Sequence, residues 1–248
     1  MKIIDAYWEE RNLGMKVCEL IFDSRDIIDY KKISELENLY RYLVAKIPGD
    51  SAAMVHAMEE IGFRYLENQQ TIYFETDQFL KIDECLKDRF REINCVKIHE
   101  KDSLENICEL IKEGLYVKGR ITADPLIPEG VSDLRIINWL KDLYMDEDAL
   151  IYSLEKNSGP VGYFVLKRTN KVHLNIVQAG VFREYQNRGY SFLLLYYILK
   201  TAFKNEFTGI FASVSANNIK TMNSISKFVY VSIKESYVVL RKMINNKG

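Results

Sequence analysis

Two apolar periods alternate along this chain, and the switches between them mark out its elements. Residues 51–74, SAAMVHAMEEIGFRYLENQQTIYF, set Met54, Val55, Met58 and Ile61 at helical spacing, break at Gly62-Phe63 and continue as a β-rich run. Residues 218–240, NIKTMNSISKFVYVSIKESYVVL, repeat the plan with Thr221, Met222, Ile225 and Phe228, and with Val229-Tyr230 where Gly-Phe stood. A β-rich run precedes each, LYRYLVAKI at 39–47 and GIFASV at 209–214. The likeness reads as two related α/β halves.

Residues 76–119 are mixed, with an alternating piece near Cys95–Ile98 and a helical pattern over 103–111. Asp102-x-x-Glu105 has the spacing of a capping box, which makes Asp102 the expected N-cap. GRITADPLIPEG at 119–130, with Pro125 and Pro128, reads as a loop. An amphipathic helix follows over 132–144, with Leu134, Ile137, Trp139, Leu140 and Leu143 on its apolar face. Runs at 149–154 and 161–167 flank KNSGP as a hairpin, and 172–181 is a further strand. The second half therefore reads helix, three strands, helix, strand, helix, strand. The predicted class is α/β, a mixed and mainly antiparallel sheet flanked by helices rather than a doubly wound parallel one.

Composition narrows the classes of function. Thirty-four Lys and Arg against 35 Asp and Glu leave a formal charge of −1, so no basic excess points to nucleic acid or an anionic membrane. The opening MKIIDAYWEERN puts acidic residues where a secretory leader needs an apolar run, and the longest apolar stretch, Phe192 to Leu199, is too short to span a bilayer. Cys18, Cys85, Cys95 and Cys108 are scattered without a Cys-x-x-Cys pair, and only three histidines could join them. The expectation is a cytoplasmic protein with reduced thiols and no metal.

The chemistry concentrates in GVFREYQNRGYSFLLLYYILK, residues 180–200. A strand ends at Val181, a polar turn follows, and a long aromatic-aliphatic helix begins. The amides of Gln186 to Ser191 then face one side without intrahelical partners, and the helix dipole adds to them, which suits a phosphate group. Gly189 allows close backbone approach, Ser191 is small, and Arg183 and Arg188 add charge. Tyr196 and Tyr197 on the helix read as core.

These residues resemble the GNAT superfamily of N-acetyltransferases. Its Gln/Arg-x-x-Gly-x-Gly/Ala element matches Gln186-Asn187-Arg188-Gly189-Tyr190-Ser191, with serine as the last small residue. The segment 214–230, VSANNIKTMNSISKFVY, is similar to the family's strand-Asn-helix element. Asn218 stands on the coenzyme-contacting asparagine, and Lys227 and Tyr230 stand in a Lys-x-Gly-Phe ending whose glycine is Val229. The resemblance covers about residues 118–242. It implies acetyl-CoA held by Ala179, Gly180 and Val181, by Gln186, Asn187, Arg188, Gly189, Tyr190 and Ser191, and by Asn218. It also implies that the strand ending at Val181 splays from its neighbour and that an amine attacks the thioester directly.

The first half resembles dTDP-fucosamine acetyltransferases. AYWEERNLGMKVCELIF is similar to their opening, and Arg120, Asp124, Pro125, Ile127 and Pro128 to their Arg-x-x-x-Asp-Pro-x-Ile-Pro loop. This implies a smaller partial GNAT-like domain over residues 1–117, without a coenzyme turn, and an acetyltransferase domain over residues 118–248.

Two family residues are replaced. The tyrosine expected seven positions after Asn218 is Ile225, and the glutamate of the histone-acetyltransferase branch is Asn175. His173, on the same strand, is then a candidate base, and Ser224 and Tyr230 are candidate proton donors. The acceptor is a small-molecule amine, with an amino-sugar nucleotide leading. A protein or peptide amine and a non-catalytic acyl-CoA-binding module stay open, as does assembly as a homodimer.

Overall fold

The computed structural model describes residues 1–88, 91–115, 119–157 and 159–244. The expected domain boundary between residues 117 and 118 lies outside them. The first half runs β1 (Lys2–Asp5), α1 (Glu10–Leu13), β2 (Val17–Ile21), α2 (Tyr30–Glu37), β3 (Tyr42–Pro48), α3 (Ala52–Glu60), β4 (Arg64–Glu75), α4 (Phe79–Leu86), β5 (Asn94–Lys97) and α5 (Lys101–Lys112). The second runs α6 (Arg120–Ala123), α7 (Val131–Tyr144), β6 (Ala149–Lys156), β7 (Gly159–Arg168), β8 (His173–Val181), α8 (Tyr190–Lys204), β9 (Gly209–Ser215), α9 (Ile219–Ser226) and β10 (Ser232–Met243).

All ten of these strands form one sheet in the order β1-β2-β3-β10-β4-β9-β8-β7-β6-β5. Only β2 with β3 and β8 with β9 pair in parallel, so the mixed, mainly antiparallel class holds. The two repeat units each fold as strand, helix, strand, and their second strands, β4 and β10, pair with each other side by side. The order also interleaves the sequence halves: β10 lies between β3 and β4, and β5 pairs with β6.

Helices cover both faces because each strand offers an apolar set to each side. On one face α4 and α8 pack over Phe164, Leu174, Ile210 and Ala212. There Tyr196 donates to Asp83 at 2.6 Å and Tyr197 to the Ile93 carbonyl at 2.5 Å, so both act as core residues with satisfied hydroxyls. On the other face α5 and α7 cover Ile151, Tyr163 and Val165. Two local expectations are corrected. The N-cap of α5 is Glu100 without a side-chain bond, because the helix begins before Asp102. Residues 119–130 are not all loop, since Arg120–Ala123 make one helical turn.

The turn between those prolines and the first half is a charged seam. Arg120 bridges Glu9 at 3.1 Å and Glu19 at 2.5 Å, and Arg135 also holds Glu9. Asp124 accepts from Tyr42 at 2.6 Å and from Arg241 at 2.9 Å. The residues that carried the Asp-Pro-x-Ile-Pro likeness are therefore structural, with Asp124 buried. Burial opposes charge on Glu19, yet the Arg120 and Lys46 cations outweigh it and hold the carboxyl down to about 2.

Candidate active site

Strand β8 departs from its neighbour midway. Its parallel ladder with β9 runs from His173↔Gly209 to Ile176↔Ala212 and stops there, although β8 continues to Val181 and β9 to Ser215. Opposite, a register shift at Val165/Leu166 lets Gln178 face Val165 and leaves Val177 as the extra residue. Such a bulge bends the strand and reverses its alternation from that point. Beyond Ile176, β8 thus presents main-chain groups that β9 does not use. β7 comes close on its other side, where a side chain on Gly162 would stand 2.6 Å from the Gly180 carbonyl.

The turn after β8 is shaped by two left-handed residues, Asn187 at φ 60° and Gly189 at φ 84°. Gly189 is the N-cap of α8 and supplies no side-chain cap, so the first amides of the helix stay open. Gln186 spends its amide on the Val181 carbonyl at 3.0 Å, which fixes the turn to the strand end. Asn218 caps α9 by accepting from the Thr221 amide at 3.3 Å. The Lys220 ammonium reaches Asn187 Oδ1 at 3.2 Å, tying α9 to the turn.

These elements enclose a cavity of about 560 Å³. Of the coenzyme residues expected from sequence, Ala179, Gly180, Val181, Gln186, Asn187, Gly189, Tyr190, Ser191 and Asn218 all line it. Arg188 is exposed and does not. Lys220 and Lys227 line it as well, and no carboxylate does. A turn of open amides at a helix start, with two lysines nearby, fits a diphosphate.

A second cavity of about 290 Å³ adjoins the first through Ala179, Ser191, Leu194, Asn218, Thr221 and Ser224. Its far wall is made by residues the sequence did not single out: Arg135 and Trp139 from α7, Tyr163 and Gln178, and Ser213 and Ser215 from β9. Gln178 accepts from the Tyr163 hydroxyl at 3.1 Å and donates to the Ile136 carbonyl at 3.2 Å, so that wall is fixed. Burial pushes the Tyr163 phenol well above the ordinary range. Arg135 donates to Glu9, contributed by the first half, at 2.7 and 2.9 Å. The signal for this wall was weak because its parts lie far apart in sequence.

Ser224 sits where the cavities join, donating to the Lys220 carbonyl at 2.8 Å with its Oγ 3.3 Å from Ser191 Oγ. The other two catalytic candidates are not brought there. His173 lies at the start of β8, eight residues before Val181, about 26 Å along a strand rising about 3.3 Å per residue. Its ring packs edge-on against Tyr73 and Phe211, and its Nδ1 lies 3.1 Å from Asn170 Nδ2. Tyr230 follows α9 on the surface, 83% exposed, with its amide on Gln78. Neither lines either of these two cavities. Ile225, in the place of the family's tyrosine, is a buried wall of the second cavity.

Comparison with known proteins agrees with this geometry. Residues 117–227 match the acetyltransferase (GNAT) family. None of the curated proteins matches the chain. A functionally unknown conserved protein from Staphylococcus epidermidis superposes with a TM-score of 0.60 at 12% identity, over 92% of this chain and 84% of that one. A GCN5-related N-acetyltransferase from Sphaerobacter thermophilus gives 0.58 at 18% identity, over 82% of this chain and 60% of that one. A tandem GNAT protein from the clavulanic acid biosynthesis pathway gives 0.56 at 12%, over 94% and 76%. At such identities the likeness is one of fold. The chain has the GNAT fold, and the segment that holds the site matches the acetyltransferase (GNAT) family over residues 117–227.

Among the described residues, no helix is long and apolar enough to cross a membrane, and no group of three or more His, Cys, Asp or Glu could hold a metal ion.

Proposed function

We propose that this protein transfers an acetyl group from acetyl-CoA to a primary amine of a small molecule. The observation that carries the reading is the end of β8 that β9 leaves unpaired, flanked by an amide-lined cavity and a second cavity that adjoins it. In this reading the open amides from Asn187 to Ser191 bind the coenzyme diphosphate. The main chain of Ala179–Val181 receives the pantetheine arm as a strand partner would. Acetyl-CoA supplies an activated acyl carbon, and the chain supplies placement, which converts an encounter of two solutes into a nearly unimolecular step. Amides at the splay stabilise charge on the thioester oxygen.

The acceptor occupies the cavity walled by Trp139, Tyr163 and Gln178. An amino-sugar nucleotide remains the first acceptor to try, with other small amines and a peptide N-terminus beside it. Ser224, at the junction, can swing its hydroxyl from the Lys220 carbonyl to donate to the departing thiolate, and with Ile225 in the tyrosine's place water completes that protonation. Incubation with acetyl-CoA and a panel of such amines should release free thiol. No release with any of them overturns the reading. Coenzyme binding by calorimetry without turnover favours instead a non-catalytic acyl-CoA module, for which Ile225 is the motive.

A further inference from the structure

Four carboxylates of the described chain are buried: Glu9, Glu19, Asp124 and Glu67. Glu9 and Glu19 share Arg120, and Asp124 holds Arg241. Among the described residues Glu67 has no ion pair, and its Oε2 is buried without a well-formed hydrogen bond, the Ser215 side chain and the Arg120 amide supplying only weaker polar contacts. So is the Oγ of Ser215, whose side chain adjoins it. A carboxylate left in this condition costs stability, and such a group calls for a reason.

Position supplies one. On β4, Glu67 and Gln69 project to the same side of the sheet, and Gln69 stands opposite Ser215 of β9. Ser215 lines the acceptor cavity. The carboxylate thus adjoins a residue of that cavity's wall, Ser215. Asn68, the next residue, projects to the opposite side and takes no part.

We propose that Glu67, working through Ser215 or a water held between them, receives the proton of the acceptor's ammonium group. The idea rests on the acetyl-transfer reading and adds an acidic residue from the first half of the chain. The acceptor enters as R–NH3⁺, and one proton passes to the Glu67 carboxylate, leaving R–NH2. Its lone pair forms the C–N bond while the C–S bond breaks. The nitrogen's second proton goes to the thiolate, giving free CoA thiol and the amide, and Glu67 returns its proton to solvent. Burial raises the Glu67 carboxyl above its ordinary range, against the pull of the Arg120 and Lys46 charges. That shift moves it toward the pH at which a general base is effective.

The test uses Glu67→Gln and Ser215→Ala, with acetyl-CoA and the amine panel, reading thiol release between pH 6 and 10. With the amine the wild type uses fastest, Glu67→Gln should lose about 100-fold or more in kcat/KM at pH 7. The deficit should shrink as pH rises and free amine becomes abundant, while coenzyme affinity stays within twofold. Ser215→Ala should show the same pH trend with a loss of about tenfold. It serves as the second reading should Glu67→Gln fail to fold. An active wild type whose folded variants keep its rate and pH profile overturns this proposal alone. A wild type inactive with every amine overturns the acetyl-transfer reading, and this proposal with it.

Discussion

The turns after β2 and after β8 occupy corresponding places. Each leaves a strand whose next neighbour is parallel and leads into a helix, yet their free amides meet different fates. After β2 the chain fills its own turn. Asp26 accepts from the Asp23 amide at 2.7 Å, Asp23 accepts from the Arg25 amide, and Asp29 caps α2 through the Lys32 amide. β2 stays paired with β3 along its whole length, from Val17↔Tyr42 to Ile21↔Lys46. The hollow beside it, about 590 Å³, is lined by Asp23, Asp50 and Glu235 against Lys234. After β8 the turn has no capping side chain, the strand separates after Ile176, and lysines replace acids in a hollow of similar size. In the proposed scheme the same element serves as scaffold in one half and as an anion cradle in the other, and side-chain oxygens within the turn make the difference.

The largest expected effect removes the cradle. Gly189→Asp keeps a residue type that caps helices and tolerates the left-handed region, so α8 survives. The carboxylate then stands where the diphosphate must approach, and like charges brought together cost several kcal/mol. Coenzyme affinity by calorimetry should fall by roughly 1,000-fold, about 4 kcal/mol. Unchanged affinity means the cradle has been misplaced.

A second test breaks the seam between the halves. Arg120→Ala strands Glu9 and Glu19 with one cation each, Arg135 and Lys46. Loss of a buried ion-pair partner costs about 3 kcal/mol at the lower end, which is roughly 6–12 °C of Tm in a chain of this size. The pH dependence sharpens it. The Glu19 carboxyl is depressed to about 2 in the folded chain, so its contribution is present above its ordinary value near 4.5 and is lost as pH falls toward about 2. The wild type should lose stability across that acid window, and Arg120→Ala should lose less there, as thermal melts at stepped pH would report.

How much of this was legible in sequence followed from distance along the chain. The shape of the turn after β8 was, because Gln186–Ser191 and Asn218 are contiguous or nearly so and their geometry is local. The hairpin, α7 and the mixed sheet class followed from periodicity and punctuation. His173 was misplaced because alternation assigns a face but not a distance, and the bulge at Val177 reverses the face midway. Asp124 read as part of a family-like loop, and burial makes it a partner of Tyr42 and Arg241. The acceptor wall and Glu67 depend on where α7, β4 and β9 meet. Neither that meeting nor the insertion of β10 between β3 and β4 is written in any local pattern.

On the scaffold side, Asp29→Ala removes the cap of α2. Such a loss typically costs about 1 kcal/mol. Coenzyme affinity should not change, since that turn binds nothing in this scheme. A fall in affinity would show that the two turns do not divide the work as the comparison has it.

The smallest effect concerns charge at the rim. Lys220 is exposed and already bonded to Asn187, so its attraction for a phosphate is screened and partly committed. Exposed pairs of this kind contribute about 0.2–1 kcal/mol. Lys220→Ala should therefore weaken coenzyme binding about threefold at low salt, and the deficit should shrink as salt is added. Lys234→Ala, in the acidic hollow of the first half, provides the matched control and should leave affinity as it was. Equal effects from the two lysines would mean that net charge, not the position of a cation beside open amides, governs binding. A salt-dependent loss confined to Lys220 ties the anion to the turn after β8.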